Sequence, residues 1–108
     1  MSDESIKSDK EEELVSFFDA LSHPLRIKII KALAKGEKYV SELAKEIGIS
    51  RPLLYMHLSK LEKAGLIKTY IKYFDKPPYV RKFVKAKSIK AKIVLPEIKF
   101  MIESEDDD

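Results

Sequence analysis

The apolar side chains in the first two thirds of the chain recur at the spacing of an α-helix in four separate segments. The first segment is marked by Leu14, Phe17, Phe18 and Leu21. A spacing of i, i+3, i+4 and i+7 places these side chains on one face, which predicts a first helix. Pro24 predicts the start of a second helix, because proline suits the first helical turn, and this helix is expected to extend to about Lys35.

The third and fourth helices are predicted to be separated by a very short link. The third carries Val40, Leu43, Ala44 and Ile47 at the same helical spacing. Gly48 is expected to end it, because glycine is common just after a helix. Ser50 is a good N-cap and Pro52 fits a first turn, so a fourth helix is predicted from there to Ala64–Gly65. Its inward face is predicted to carry Leu54, Leu58 and Leu61.

After Gly65 the pattern changes to alternation with period two, which is typical of β-strands. Residues 66–74 and 79–87 are predicted to form a hairpin around a turn at 75–78, which contains two prolines. Strand character is expected to continue to Pro96. Pro96 and Glu97 can then open a short last helix that carries Ile98, Met101 and Ile102.

This order of elements is typical of a winged helix-turn-helix domain. A short helix joined tightly to a longer one is the helix-turn-helix, and the hairpin that follows is the wing. The expected fold is mainly α with a small β-hairpin, followed by a C-terminal strand and short helix. The 108 residues suffice for one domain. The expected organisation is a mobile polar tail at 1–10, the winged domain at 11–95, and a dimerisation segment with an acidic tail at 96–108.

Charge is distributed very unevenly along the chain. Residues 1–20 and 101–108 each carry a net charge of −5, whereas residues 51–92 contain twelve bases and two acids, a net charge of +10. A basic block of this kind in a folded domain attracts a polyanion such as nucleic acid. The alternative is a lysine-rich solvated surface, as in proteins of hyperthermophiles.

The outward face of the fourth helix is the predicted reader of double-stranded DNA in the major groove. Residues expected near the bases are Arg51, Tyr55 and Met56, and Pro52 is expected on the same outward face. Residues expected to contact the DNA backbone are Ser50, Ser59, Lys60 and Lys63. The wing is expected to reach phosphates or the minor groove through Lys72, Lys76, Arg81 and Lys82. The alternatives are that Tyr55 and Met56 are packing residues and that the hairpin is merely solvated.

The apolar residues at the two ends of the domain exceed what so small a core can cover, which predicts a homodimer. The residues expected at the dimer interface are Leu14, Phe17, Phe18, Ile98, Met101 and Ile102.

His57 lies at the edge of the inward face of its helix. It is predicted to be a partly buried structural residue, bonded to backbone or phosphate, rather than a catalyst.

Several function classes find no support in the sequence. The chain has no cysteine and only two histidines, so neither a thiolate metal site nor any other metal or cofactor is expected. No glycine-rich phosphate loop or hydrolase motif is present, so the chain is not expected to be an enzyme. No segment of about 18 apolar residues and no secretory signal occurs, so a cytoplasmic protein without membrane contact is expected. The absence of asparagine and glutamine, with much lysine and glutamate, favours a thermophilic and archaeal source.

Three stretches also carry a resemblance to a known family. They are the segment from Leu21 to Arg26 (LSHPLR), the segment from Ser41 to Ala44 (SELA), and the segment from His57 to Leu66 (HLSKLEKAGL). In this order they resemble ArsR-type winged helix-turn-helix regulators. The resemblance implies transcriptional regulation, with repression as the expected effect, by a homodimer on DNA. Tyr39 and Ser41 stand where metal-sensing members carry thiolates, so metal sensing at that site is not expected. The alternatives are a winged-helix protein-interaction module and a nucleoid-type protein of low sequence specificity.

Overall fold

The computed structural model describes residues 2–106, with side chains from residue 10 onward, and within this range it contains four helices and five strands. The helices are α1 (Ser2–Leu21), α2 (Pro24–Leu33), α3 (Val40–Ile47) and α4 (Arg51–Lys63). The strands are β1 (Lys38–Tyr39), β2 (Ile67–Tyr73), β3 (Val80–Ala86), β4 (Ile89–Val94) and β5 (Lys99–Ser104). Helices α3 and α4 with the β2–β3 hairpin make the predicted winged helix-turn-helix, which confirms that fold.

The tight link between α3 and α4 has the predicted local chemistry. Gly48 adopts φ +82°, a left-handed conformation that suits glycine after a helix, and its N–H donates to the carbonyl oxygen of Ala44 at 2.9 Å. Two residues later the hydroxyl of Ser50 accepts a hydrogen bond from the N–H of Leu53 at 3.3 Å. The link therefore fixes the direction in which α4 leaves α3.

The core lies between the helices and the inner face of the wing. Fully buried side chains come from α2, α3, α4, β2 and β3, and they are Ile29, Leu43, Leu54, Leu61, Ile67 and Val84. Helix α1 adds Phe17 and Ala20 to the same cluster. Because three inward residues of α4 are buried in this core, the opposite side of the same helix is left facing solvent.

Helix α1 begins earlier than predicted. It starts at Ser2, so residues 2–10 belong to a helix rather than to a polar tail. Apolar periodicity marks only the part of a helix that is packed against a core, and these residues contain one apolar side chain. Lysine, glutamate and serine are all compatible with a helix, and no proline or glycine interrupts the chain before Pro24. Met1 lies outside the described residues.

The C-terminal segment is a second hairpin, so the predicted short last helix is wrong. Strands β4 and β5 pair antiparallel around a turn at residues 95–98, in which Ile98 adopts φ +56°. Ala91 pairs with Ile102, whereas Lys92 pairs with Met101, so Met101 and Ile102 point to opposite faces. Over only five residues, helical spacing and alternation both fit, and pairing with β4 decides for the strand. Asp107 and Asp108 of the expected acidic tail lie outside the described residues.

The three-stranded sheet contains a strand that the sequence does not predict. Strand β1 is only two residues long, which is too short for any periodicity to be visible. It pairs with the edge of β3, where Lys38 lies opposite Val84 and Tyr39 lies opposite Phe83. The sheet order is therefore β1-β3-β2.

No helix within residues 2–106 is long and apolar enough to cross a membrane.

Candidate nucleic-acid interface

The predicted reading face of α4 is accessible along its whole length. Every side chain predicted to read or hold DNA on this helix and its N-cap is exposed, namely Ser50, Arg51, Pro52, Tyr55, Met56, Ser59, Lys60 and Lys63. Met56, at the centre of the face, is 66% exposed, while Leu58 on the opposite side is 3% exposed. The helical phase inferred from the leucine spacing is therefore confirmed, and neither Tyr55 nor Met56 is a core residue.

A cationic cleft lies where the start of α4 meets the wing. The cleft has a volume of about 340 Å³, and its basic lining residues are Arg51, Arg81 and Lys82. Among the described residues, no carboxylate lines it. The guanidinium carbon of Arg81 lies 4.2 Å from the centre of the Tyr39 ring, and the Nζ of Lys82 lies 5.3 Å from that of Tyr55. Cation–π contacts of this kind hold the basic groups in place without neutralising their charge.

The four basic residues predicted for the wing lie in different environments. Lys82 lies on the sheet face turned toward α4, and Lys76 is exposed in the turn. Lys72 lies on the other face, where its Nζ donates to the carboxylate of Glu37 and sits 4.4 Å from the centre of the Phe83 ring. This hydrogen bond is the largest cause of the lowered pKa of Glu37. The charge of Lys72 is therefore partly balanced within the chain.

Lys60 also has an acidic neighbour. Its Nζ lies 3.3 Å from the Oδ2 of Asp19 near the end of α1, in an ion pair whose two members are both half exposed. Exposed pairs of this kind contribute little to stability. Lys63, the other lysine in the last turn of α4, forms no described ion pair, although it lines the same cavity as Glu11, Glu12, Glu13 and Asp19.

His57 forms a buried contact that links α4 to the first two helices. Its ring is 6% exposed, and its Nδ1 accepts a hydrogen bond from the Nε of Arg26 at 3.2 Å. Arg26 also donates from Nη1 to the carbonyl oxygen of Asp19 at 2.8 Å, and the ring centre of His23 lies 4.6 Å from that of His57. The partner of His57 is therefore a buried arginine, and the predicted bond to backbone or phosphate is wrong. The reason is that Arg26, distant in sequence, is brought inward by the packing of α2.

Comparison with known proteins places this geometry in a family. Residues 23–69, which include the helix-turn-helix and the start of the wing, match the model of the bacterial regulatory protein arsR family. An uncharacterized HTH-type transcriptional regulator of Methanocaldococcus jannaschii is 39% identical over 93 residues, which is 86% of this chain and 96% of the relative. The chain belongs to the arsR family of transcriptional regulators.

Solved structures of relatives share the fold. The transcriptional repressor BigR from Xylella fastidiosa is 27% identical, with a TM-score of 0.57, and the match covers 82% of this chain and 83% of that one. A homodimeric winged helix-turn-helix domain from Mycobacterium bovis, a possible ArsR-family regulator, matches with a TM-score of 0.62 at 21% identity over 74% of this chain and 68% of that one. The family consists of regulators rather than enzymes, which confirms the prediction that this chain is not an enzyme.

The positions at which arsR-family resemblance suggests thiolates are instead part of the cationic cleft. Tyr39 and Ser41 both line it, together with Val40. Within the described part of the chain, no group of three or more potential metal-ligating side chains comes together. The chemistry of this region in this arsR-family member is therefore that of aromatic rings and cations.

The predicted dimer residues fall into two groups. Leu14 and Phe17 are buried within the single chain, so they are not available as an open surface, which corrects the prediction for these two. Phe18, Ile98 and Met101 remain exposed, and Ile102 is half buried against the core. The tip of the second hairpin approaches the middle of α1, where Lys10, Glu11 and Ile98 line a shared cavity of about 410 Å³.

We expect the stability of this arsR-family member to fall as the pH drops below about 6.5. Burial is the largest cause of a lowered pKa for His57, and the charges of His23 and Arg26 add to it. The unfolded chain then binds a proton more readily than the folded chain does. The contribution of neutral His57 to the free energy of unfolding is therefore fully present above the unfolded-state pKa of about 6.5. It decreases as the pH falls toward the folded-state pKa, by at most about 1.4 kcal/mol per pH unit.

Urea unfolding between pH 7.5 and 5.5 measures this slope, and a His57→Leu variant provides the comparison. The variant cannot bind the proton, so its free energy of unfolding should change less over the same interval. Equal slopes for the two proteins would show that His57 does not titrate differently in the folded and unfolded states.

Proposed function

We propose that this chain is a DNA-binding repressor of transcription that acts as a homodimer. The observation that carries the proposal is the cationic cleft, which joins three basic side chains to the exposed face of α4 without a described carboxylate between them. Phosphate contacts need such basic side chains, and base contacts need a helix face that can enter the major groove. Repression is supported by the similarity to the transcriptional repressor BigR.

In the proposed complex, the fourth helix, residues 51–64, lies in the major groove. Arg51, Tyr55 and Met56 face the base edges, and Ser59, Lys60 and Lys63 follow the backbone. The wing, residues 67–87, reaches phosphates or the minor groove through Lys76, Arg81 and Lys82. Lys72 contributes less than these three, because Glu37 already binds it.

A binding experiment with matched lysine variants tests the proposed DNA contact. Lys63→Ala is expected to weaken binding to a random 30-base-pair duplex about three- to tenfold in low salt, because each half of the dimer loses one phosphate contact. Lys31 occupies the same position in α2, an exposed lysine in the last helical turn, and Lys31→Ala is the control. Fluorescence anisotropy measures both. Failure of the unaltered protein to bind any duplex would favour a protein-interaction module instead.

The proposed dimer joins α1 and the β4–β5 hairpin of one chain to those of a second. A two-stranded hairpin alone is marginally stable in water, and the base of this one packs on the core only through Ile89 and Ile102. Its outer end leaves Val94, Leu95 and Ile98 exposed, in the same region of the molecule as the middle of α1. The homodimeric Mycobacterium bovis domain shows that this fold can pair with a second copy.

Phe18→Glu is expected to raise the dissociation constant of the dimer at least about 30-fold, because burying an unpaired polar group costs about 1–3 kcal/mol at each of two sites. Phe18 is exposed in the single chain, so its replacement leaves the core unchanged. Light scattering at micromolar concentration should give twice 12.5 kDa for the unaltered protein. Tyr73→Glu, a replacement of an exposed wing aromatic, is the control and should remain dimeric. A monomeric mass for the unaltered protein would contradict the proposed dimer.

The proposed setting is the cytoplasm of a thermophilic archaeon. A transcriptional regulator in a cell without a nucleus meets its DNA in the cytoplasm. The similarity to the Methanocaldococcus jannaschii regulator and the absence of asparagine and glutamine both support an archaeal and thermophilic source.

A further inference from the structure

The outward face of the wing sheet carries a second cavity, which we call the wing cavity. It has a volume of about 560 Å³, and its walls are formed by Tyr39, Phe74, Pro77, Pro78, Arg81 and Phe83. Alternation along β3 places Val84 in the core, so its neighbour Phe83 points to the opposite, solvent side of the sheet. The wing cavity is therefore distinct from the core and opens on the side of the sheet away from α4.

The aromatic rings of the wing cavity form a connected wall. Phe83 lies at the centre, with its ring centre 5.8 Å from that of Tyr39 and 6.4 Å from that of Phe74. The Nζ of Lys72 sits 4.4 Å from the centre of the Phe83 ring, which helps to hold the ring in place. A volume of several hundred Å³ with apolar walls and a few polar groups is typical of small-molecule sites. Flat aromatic walls of this kind favour a planar aromatic ligand.

The charged groups of the wing cavity favour a ligand with one negative charge. Arg81 and Lys76 line it together with one acid, Asp75, so the balance is positive. The guanidinium of Arg81 is already ordered against the Tyr39 ring at 4.2 Å. It presents a planar pair of donors that matches a carboxylate.

Arg81 connects the wing cavity to the cationic cleft. It lines both cavities, as do Tyr39 and Pro78, so the two sites share one wall. An anion bound on the wing side would engage the same guanidinium that is expected to contact a DNA phosphate. The two ligands then compete for Arg81, and each weakens the binding of the other by the same factor.

We propose that the wing cavity binds a small planar aromatic anion, and that this ligand lowers the affinity of the protein for DNA by engaging Arg81. The binding of the ligand stands on the cavity alone. Its effect on DNA rests on the proposed function, and the experiment measures the two separately.

Isothermal titration calorimetry without DNA tests the cavity, with 2-naphthoate as the probe. A dissociation constant on the order of 1 mM or tighter is expected for a ligand of this size. Naphthalene-2-carboxamide lacks the charge and cyclohexanecarboxylate lacks the aromatic ring, and each should bind at least about tenfold more weakly. Equal binding of the amide would overturn the role of Arg81, and no binding of naphthoate at 10 mM, roughly ten times the expected constant, would overturn the site.

Two neighbouring aromatic residues provide matched variants. Phe74→Ala removes a wall of the wing cavity and should weaken naphthoate binding at least about tenfold. Tyr73→Ala removes an exposed aromatic side chain at the same end of β2 but on the opposite face of the sheet. It should leave naphthoate binding unchanged. Thermal unfolding verifies that both variants are folded. An equal loss of naphthoate binding in the two variants would show that the site lies elsewhere.

Anisotropy with a random duplex then tests the coupling. Arg51→Gln is expected to weaken DNA binding alone, Phe74→Ala to weaken naphthoate binding alone, and Arg81→Gln to weaken both. Saturating naphthoate should weaken DNA binding about three- to tenfold in the unaltered protein and have no effect in Arg81→Gln. Naphthoate binding without any effect on DNA would overturn the coupling and leave the cavity intact, whereas a protein that binds naphthoate but no duplex would refute the proposed function instead.

Discussion

Replacing Leu58 by alanine is expected to lower the free energy of unfolding by about 2–5 kcal/mol. Leu58 is 3% exposed and belongs to the core cluster, together with Leu54 and Leu61 of the same helix. The substitution removes three carbon atoms from a packed interior and leaves a cavity that the neighbouring helices can fill only in part. In a domain of this size, such a loss is a large fraction of the whole stability. Urea unfolding followed by circular dichroism measures it.

Met56→Ala is the matched control for this prediction. It lies two residues away on the same helix and is 66% exposed, so its replacement should change the free energy of unfolding by no more than about 0.5 kcal/mol. The pair distinguishes the two faces of α4. If Leu58→Ala were as stable as Met56→Ala, the phase of the helix would be wrong, and with it the whole set of groove-facing residues.

The helices of the winged domain could be predicted from the sequence because their signals are local. These local signals are an apolar stripe and residues that are typical of one helix end. Ser50 and Pro52 mark the start of α4, and Gly48 marks the end of α3. The stripe also fixes the rotation of the helix, since its apolar side must face the core. Both the fold and the accessible face of α4 follow from these two facts.

The elements that could not be predicted depend on pairing partners distant in sequence. Strand β1 exists because Tyr39 meets Phe83, more than forty residues later, and nothing within two residues signals this. The C-terminal segment has a pattern that suits either a helix or a strand, and only its pairing with β4 decides. A period read over a short window cannot separate these states.

The candidate site was predictable in its residues but not in their partners. The basic side chains of α4 and the wing could be identified from charge and phase. The balance of charge within the fold could not, because Asp19 and Glu37 reach Lys60 and Lys72 from elements far away in sequence. The cationic cleft could not be predicted for the same reason, because it depends on the positions of α3, α4 and β3 relative to one another.

The affinity of this protein for DNA is expected to fall by a factor on the order of 10³–10⁵ between 50 and 200 mM salt. Each chain offers five cations that form no described ion pair at the proposed interface, which are Arg51, Lys63, Lys76, Arg81 and Lys82. A dimer therefore has about ten, which is within the range of phosphate contacts that gives such a salt dependence through counterion release. Anisotropy titrations of one duplex over this range of salt measure the slope.

Sequence preference should be modest beside this electrostatic contribution. Direct reading of adenine uses asparagine or glutamine, and the chain contains neither. Arg51 is the only arginine of α4, and Met56 at the centre of the face offers only apolar contact, for example to a thymine methyl group. One bidentate contact contributes about 1–3 kcal/mol of discrimination in each half of a dimer. Preference among sequences is therefore expected to stay below about a thousandfold.

Two variants separate the contributions to binding. Arg51→Ala should reduce whatever preference exists between sequences, because it removes the one bidentate reader. Lys63→Ala should weaken all duplexes alike and make the salt slope smaller by about one for each chain, because it removes a phosphate contact that carries no sequence information. Selection from random duplexes, performed with the unaltered protein and with each variant, measures both effects. A long and sharply defined motif that survives Arg51→Ala would mean that other residues read the bases, and the wing would then be the first place to look for them.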